Sequence, residues 1–197
     1  MENGRNASIS RKTGETDISV TFNIDGNGTA DVETGVGFLD HMLTLFAVHG
    51  FFDLELKASG DIHVDFHHTV EDVGICLGQA IYQAADNFKG IRRYGSQLLP
   101  MEEAMARAVV DLCNRPYLVF QASFPTEKIG NFDVELIEEF FRAVAVNSCI
   151  TMHLNVEYGK NSHHMAEALF KAFGRALDQA TMLDRRVGGV LSSKGVL

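Results

Sequence analysis

No apolar run in this chain approaches the ~18–20 residues needed to cross a bilayer. The first residues, Met1-Glu2-Asn3-Gly4-Arg5, lack the basic and then apolar order of a secretion signal. Cysteine is scarce. Cys76, Cys113 and Cys149 are odd in number and far apart, and no pair has metal-ligand or redox spacing. They read as buried free thiols in a reducing cytosol, so the expected location is cytoplasmic. Basic residues are outnumbered, 17 Lys and Arg against 26 Asp and Glu, for a formal net charge of −9. That field disfavours nucleic acid and anionic membrane as partners, and still permits a local basic pocket for a phosphate. No low-complexity stretch or flexible linker interrupts the chain.

What is present suffices for a packed core: 197 residues, 46% hydrophobic and 22% charged. Ile18, Val20, Phe22 and Ile24 alternate with polar residues, the period of a half-buried strand. A strand over Ala7–Thr13 precedes them, and an extended piece over Ala30–Val36 is a possible extra strand. The spacing then predicts a helix over Phe38–Val48 with Gly50 as its C-terminal cap, a strand over Asp53–Ala58, and a helix over His67–Phe88. The second half predicts a hairpin of Ala104–Leu112 and Tyr117–Phe124 around Asn114-Arg115-Pro116, and a connecting loop over Pro125–Asn131. A helix over Val134–Val146, a strand over Ile150–Tyr158 and a helix over His163–Leu183 follow. The expected fold class is α+β, an internal duplication of a β-β-α-β-α unit with sheets backed by helices. Residues 1–90 form the first repeat and 91–197 the second, within one compact unit. The tail from Val187 reads as mobile.

The repeats match in their chemistry. His67-His68-Thr69-Val70-Glu71 is echoed by His163-His164-Met165-Ala166-Glu167, and Gly78 and Gly174 follow at the same offset. On a helix each Glu shares a face with its histidines, whereas adjacent histidines diverge by about 100° and can serve two different cations. His41 precedes the first motif on one helix, and Glu139 precedes the second at nearly the same distance. The candidate metal ligands are therefore His41, His67, His68, Glu71, Glu139, His163, His164 and Glu167, two sites of four. His63 and His153 fall in strand-like segments and read as structural or surface residues. Imidazole with carboxylate and no thiolate points away from structural zinc and suits Mn²⁺, Fe²⁺ or Co²⁺. The constellation is silent about the reaction: a di-metal phosphate-ester hydrolase and a non-enzymatic metal-binding assembly stay open. An RNA-binding module is disfavoured by the acidic balance.

Three segments carry a resemblance to a known family: Gly35-Val36-Gly37-Phe38-Leu39-Asp40-His41-Met42-Leu43, the two His-His-x-x-Glu motifs, and Leu191-Ser192-Ser193-Lys194-Gly195-Val196-Leu197. Together they resemble imidazoleglycerol-phosphate dehydratases, from about Ala7 to the C-terminus. The resemblance implies a ribosomal protein S5 domain 2-like duplication. It implies a homo-oligomer of trimers assembling to a 24-subunit shell, with active sites between subunits and two Mn²⁺ per site. The implied reaction converts D-erythro-imidazole glycerol phosphate, a small phosphorylated imidazole, to imidazole acetol phosphate in histidine biosynthesis. Glu15, His41, His49, Arg93, Arg115, Ser192, Ser193 and Lys194 match substrate-contact positions. Many members carry His where this chain has Glu139. Chemically, cations at both ring nitrogens would make the imidazole N–H more acidic, and the di-metal-bound imidazolate can expel the neighbouring hydroxyl. Glu15 is the candidate acid/base, with Glu167 as its rival. Arg93, Arg115, His49 and the tail would grip the phosphate.

Overall fold

The computed structural model describes residues 4–197. The first half runs β1 (Asn6–Lys12), β2 (Thr16–Asn23), β3 (Ala30–Glu33), α1 (Gly37–Gly50), β4 (Asp53–Gly60) and α2 (His67–Ala84). A 3-10 turn at Asp86–Phe88 leads into β5 (Tyr94–Met101), β6 (Ala104–Leu112) and β7 (Tyr117–Gln121). A small hairpin, β8 (Lys128–Ile129) with β9 (Phe132–Asp133), precedes α3 (Glu135–Asn147), β10 (Ile150–Tyr158) and α4 (Ser162–Thr181). The two four-stranded sheets have the same order, β1-β2-β4-β3 and β5-β6-β10-β7. The duplication is thus present in topology as well as in motif, and each half carries the third strand that was anticipated only for the first.

The expected hairpin between Ala104–Leu112 and Tyr117–Phe124 does not form. β6 already has β5 on one edge and β10 on the other, so β7 pairs in parallel with β10 at the free edge. β3 does the same beside β4. The true hairpin is β5–β6, turning at Glu102-Glu103. Its first strand was obscured by Gly95 and Pro100, which an edge strand tolerates. The segment expected to be a plain loop holds β8, and His63 lies in a turn instead of a strand. Cys76 and Cys113 are buried as expected, but Cys149 is only half-buried.

The strand faces follow the alternation: Ile18, Val20 and Phe22 are buried between exposed neighbours, as are Ala106, Ala108 and Val110 in β6. Asp65 Oδ1 accepts from the backbone N–H of His67 at 2.8 Å, and Asn161 Oδ1 accepts from that of His163 at 2.9 Å. The same side-chain position therefore starts both motif helices by satisfying an orphan amide. The helices then pair crosswise, α1 on α4 and α3 on α2. Phe46 stacks on Phe173 at 5.2 Å, and Phe173 meets Phe141 at 5.6 Å, so the aromatic core runs unbroken from one half into the other. No helix among the described residues is long and apolar enough to cross a membrane.

Glycine sets how close these crossings come. A Cβ on Gly174 would lie 2.6 Å from the Phe46 carbonyl oxygen, and one on Gly78 would lie 2.8 Å from that of Val144. Gly50 belongs to this contact, since its Cβ would meet the Gly174 carbonyl at 3.1 Å. It is not the left-handed cap that its position suggested. Phe51, with φ 57°, takes that role, and Cys149, with φ 56°, is its counterpart after α3. Gly174→Ala should therefore lower stability by roughly 1–3 kcal/mol, the usual cost of overpacking. Gly188→Ala, where a Cβ meets nothing within 4 Å, should change little. Denaturant midpoints of the two variants measure the difference.

Candidate metal centre

The crosswise pairing brings His41 of α1 over the first turn of α4. His41 Nε2 lies 2.9 Å from Glu167 Oε1, and His163 Nε2 lies 3.0 Å from the same oxygen. Their imidazole rings are 5.6 Å apart, and Phe38 packs edge-on against His163. Glu167 is only 7% exposed, and its other oxygen accepts from Lys171 Nζ at 2.6 Å. Burial pushes the Glu167 carboxyl up. The hydrogen bonds of Lys171 and His41 and the Lys171 charge outweigh it and hold the group at about 2. Three hard or borderline donors aimed at one point, two imidazoles and one carboxylate, suit a divalent first-row cation. In His49, in the last turn of α1, burial and the nearby Lys171 and Arg175 cations lower the imidazole pKa. It therefore favours the neutral form.

The second set of ligands is looser. His67 Nε2 lies 4.0 Å from Glu71 Oε2, and Glu139 Oε2 lies 3.8 Å from Arg142 Nε. Among the described residues, three donor atoms converge within 4.8 Å only at His41–His163–Glu167 and at Glu102–Glu103–His164. Glu139 is therefore not drawn in with His67 and Glu71. Its place in the fold nevertheless matches that of His41. The carbonyl of Phe46, five residues after His41, meets Gly174; the carbonyl of Val144, five residues after Glu139, meets Gly78.

His68 and His164 turn away from the His41–His163–Glu167 cluster and from the His67–Glu71 pair. His68 Nδ1 pairs with Asp61 Oδ2 at 3.0 Å, with Glu15 Oε1 3.8 Å from its Nε2. His164 Nδ1 pairs with Glu103 Oε2 at 2.7 Å. Hydrogen bonds to these carboxylates raise the pKa of both rings, and the His164 bond leads in holding Glu103 at about 2. A carboxylate on Nδ1 fixes ring orientation and directs Nε2 outward. Asp61 and Glu103 were missed in the sequence. Glu103 stands immediately before β6, as Glu15 stands before β2, and the misplaced hairpin concealed that equivalence.

The expected phosphate-binding residues gather elsewhere. Arg93 donates to both oxygens of Asp111, at 2.6 and 3.0 Å, and to the Leu191 carbonyl at 2.5 Å. Arg115 Nη2 lies 3.8 Å from the same Asp111. Ser192 and Ser193 line a cavity with Arg93, Tyr94 and Arg186. Lys194 is exposed on the same tail. The Arg93 backbone N–H bonds to the Ala180 carbonyl, at the far end of α4. Thirteen residues of helix separate Ala180 from Glu167, about 20 Å at 1.5 Å per residue. One chain therefore does not bring its His/Glu cluster and its arginine pocket together.

A duplicated α+β chain with paired histidine–carboxylate clusters and a separate cationic, serine-lined pocket defines a class: proteins that present both cation-ligating and anion-binding side chains. Comparison with known proteins narrows it. The pattern described as imidazoleglycerol-phosphate dehydratase matches residues 34–177. The chain is 61% identical to the imidazoleglycerol-phosphate dehydratase of Acetivibrio thermocellus, across 98% of this chain and 99% of that one. It is 56% identical to the one from Shouchella clausii, with the same coverage. The crystal structure of the Staphylococcus aureus dehydratase matches with a TM-score of 0.82 at 43% identity, over 91% of this chain and 99% of that chain. One from Pyrococcus furiosus matches with a TM-score of 0.83 at 35% identity, over 96% and 100%. This chain belongs to the imidazoleglycerol-phosphate dehydratase family.

The Arg93 geometry yields a direct expectation. Arg93→Ala removes the side-chain bond to Leu191 and should release the tail, so a protease should clip near Arg185–Arg186 several-fold faster than the global destabilisation from the unpaired Asp111, read separately by melting temperature, accounts for. Mass spectrometry of a limited digest reads this. Equal cleavage rates would show that Arg93 does not hold the tail.

Proposed function

We propose that this chain dehydrates D-erythro-imidazole glycerol phosphate to imidazole acetol phosphate, a step of histidine biosynthesis, using two Mn²⁺ per active site. The observation that carries the reading is the convergence of His41, His163 and Glu167 on one point in a chain of this family. Those three residues would hold one ion, and His67, Glu71 and Glu139 would hold the other. His68 and His164, each turned away within the chain, would supply the fourth ligands to sites on neighbouring copies. The arginine pocket at the far end of α4 supports the same arrangement, because a substrate of one ring, a three-carbon chain and a phosphate does not span that distance. The active sites would accordingly lie between subunits of a homo-oligomer, built from trimers into a 24-subunit shell.

Divalent ions held by these residues would supply the positive charge that makes the substrate's ring N–H more acidic. The chain supplies the rest. Arg93, Arg115, His49, Ser192, Ser193 and Lys194 would grip the phosphate by charge-assisted hydrogen bonds. Proton transfer at the glycerol carbons falls to Glu15. Its carboxylate is more than half exposed and close to His68, whereas both oxygens of Glu167 are occupied by His41, His163 and Lys171. Closure of the tail would exclude water from the reacting carbons.

Incubating the metal-replete protein with imidazole glycerol phosphate should release the ketone and no inorganic phosphate. Phosphate release would replace this reading with ester hydrolysis. His41→Ala should lose metal by elemental analysis and turnover together, and full metal occupancy in that variant would remove His41 from the ligand set.

Because the ligands of one site come from separate copies, metal binding contributes to association as well as to catalysis. Complete chelation should therefore reduce particle mass in light scattering, and re-addition of Mn²⁺ should restore it. An unchanged mass after metal loss would separate assembly from the metal.

A further inference from the structure

The two halves differ at three positions that the shared topology makes equivalent. Register places Thr16, Arg11 and Asp72 of the first half opposite Ala104, Leu99 and Ala168 of the second. Arg11 pairs with Ile18 as Leu99 pairs with Ala106, and Asp72 and Ala168 each lie five residues after the first motif histidine. In the second half these three positions are apolar and pack into the core. In the first half they form a polar network. Asp72, 6% exposed, accepts at Oδ2 from Arg11 Nη1 and from Thr16 Oγ1, both at 2.5 Å. Thr16 Oγ1 lies 3.2 Å from Thr13 Oγ1, which accepts the Glu15 backbone N–H at 3.1 Å. A near-buried ion pair is poor evidence of stabilisation, since apolar replacements of similar shape are often as stable or more so. The other half of this chain carries such a replacement already.

The hairpin tips show what the network does. In the second half the tip acid is itself the anchor. Glu103 accepts the backbone N–H groups of Lys160 and Asn161, at 3.2 and 2.8 Å, as well as bonding His164. In the first half the tip is held from beneath, through Asp72, Thr16 and Thr13, and the Glu15 carboxylate makes no hydrogen bond among the described residues. Moving the anchor off the tip acid leaves that acid free. We propose that Asp72, with Arg11 and Thr16, is a positioning residue that pins the β1–β2 turn so that Glu15 can exchange a proton with substrate instead of serving as the anchor. The role assigned to Asp72 rests on the reading of Glu15 as the proton-transfer group.

The test is to install the second half's own solution, Arg11→Leu with Thr16→Ala and Asp72→Ala, in the assembled, Mn²⁺-loaded protein. The triple variant should keep its metal content and melt at or near the wild-type temperature. Its kcat should fall by about 10- to 100-fold with little change in KM, the scale expected when a reacting group is misplaced by about an ångström. Amide exchange of residues 13–16, read by mass spectrometry, should quicken. In a Glu15→Gln background the triple substitution should cost almost nothing further, because coupled residues are not additive. Unchanged exchange at the turn, or an equal loss of kcat with and without Glu15, would overturn the proposal. Wild-type turnover by Glu15→Gln alone would remove the proton-transfer reading, whereas quickened exchange would still establish the anchor.

Discussion

The contact on which the site depends is the near-touching of helix backbones at two glycines. Gly174 lets α1 settle onto α4 through the Phe46 carbonyl, and Gly78 lets α3 settle onto α2 through that of Val144. At any greater separation the His41 ring would not reach Glu167, because the reach of an imidazole is short and fixed. The same crossing stacks Phe46 on Phe173 and so seals one core around both halves. The geometry of the His/Glu cluster and the cohesion of the fold therefore draw on one packing event, and neither half completes the first cluster alone.

Duplication also explains the distribution of charge. Both halves begin their motif helix with a side-chain cap two residues before the first histidine, Asp65 or Asn161. Both orient the second histidine through Nδ1 by a carboxylate, Asp61 or Glu103. The carboxylates come from different places, the end of β4 in one half and the hairpin tip in the other. Two halves with one ancestral geometry thus reach the same imidazole orientation with different residues, which frees Glu15 in one half while committing Glu103 in the other.

Lys171 has a comparable economy. Its ammonium sits on Glu167 Oε2 and within reach of Met101 Sδ at 3.2 Å, so it neutralises a carboxylate that is almost wholly buried. A buried carboxylate without such a partner would be driven toward its protonated form and lose its value as a ligand. The residue has no counterpart in the first half, where Ile75 occupies the equivalent position and Glu71 is exposed enough to be hydrated. Solvent does for one carboxylate what Lys171 does for the other.

Much of this was legible in the chain itself. Strand alternation in β2, helical spacing in α1 to α4 and the repeated His-His-x-x-Glu motif follow from local periodicity, and the equivalence of His41 and Glu139 followed from counting between them. Local rules carry that information because a strand or helix face is set by residues two to four apart. The partner of each element was not legible. β7 lies beside β10 because β6 has no free edge, and only the assembled sheet decides that. Asp61 and Glu103 reach their histidines across separate elements, so no spacing announces them. Arg93 and the tail match family substrate-contact positions yet stand about 20 Å from the His/Glu cluster along α4. The sequence determined which side chains can do chemistry. Which of them meet within one chain was decided by helix crossing and sheet edge, which depend on contacts between residues far apart in sequence.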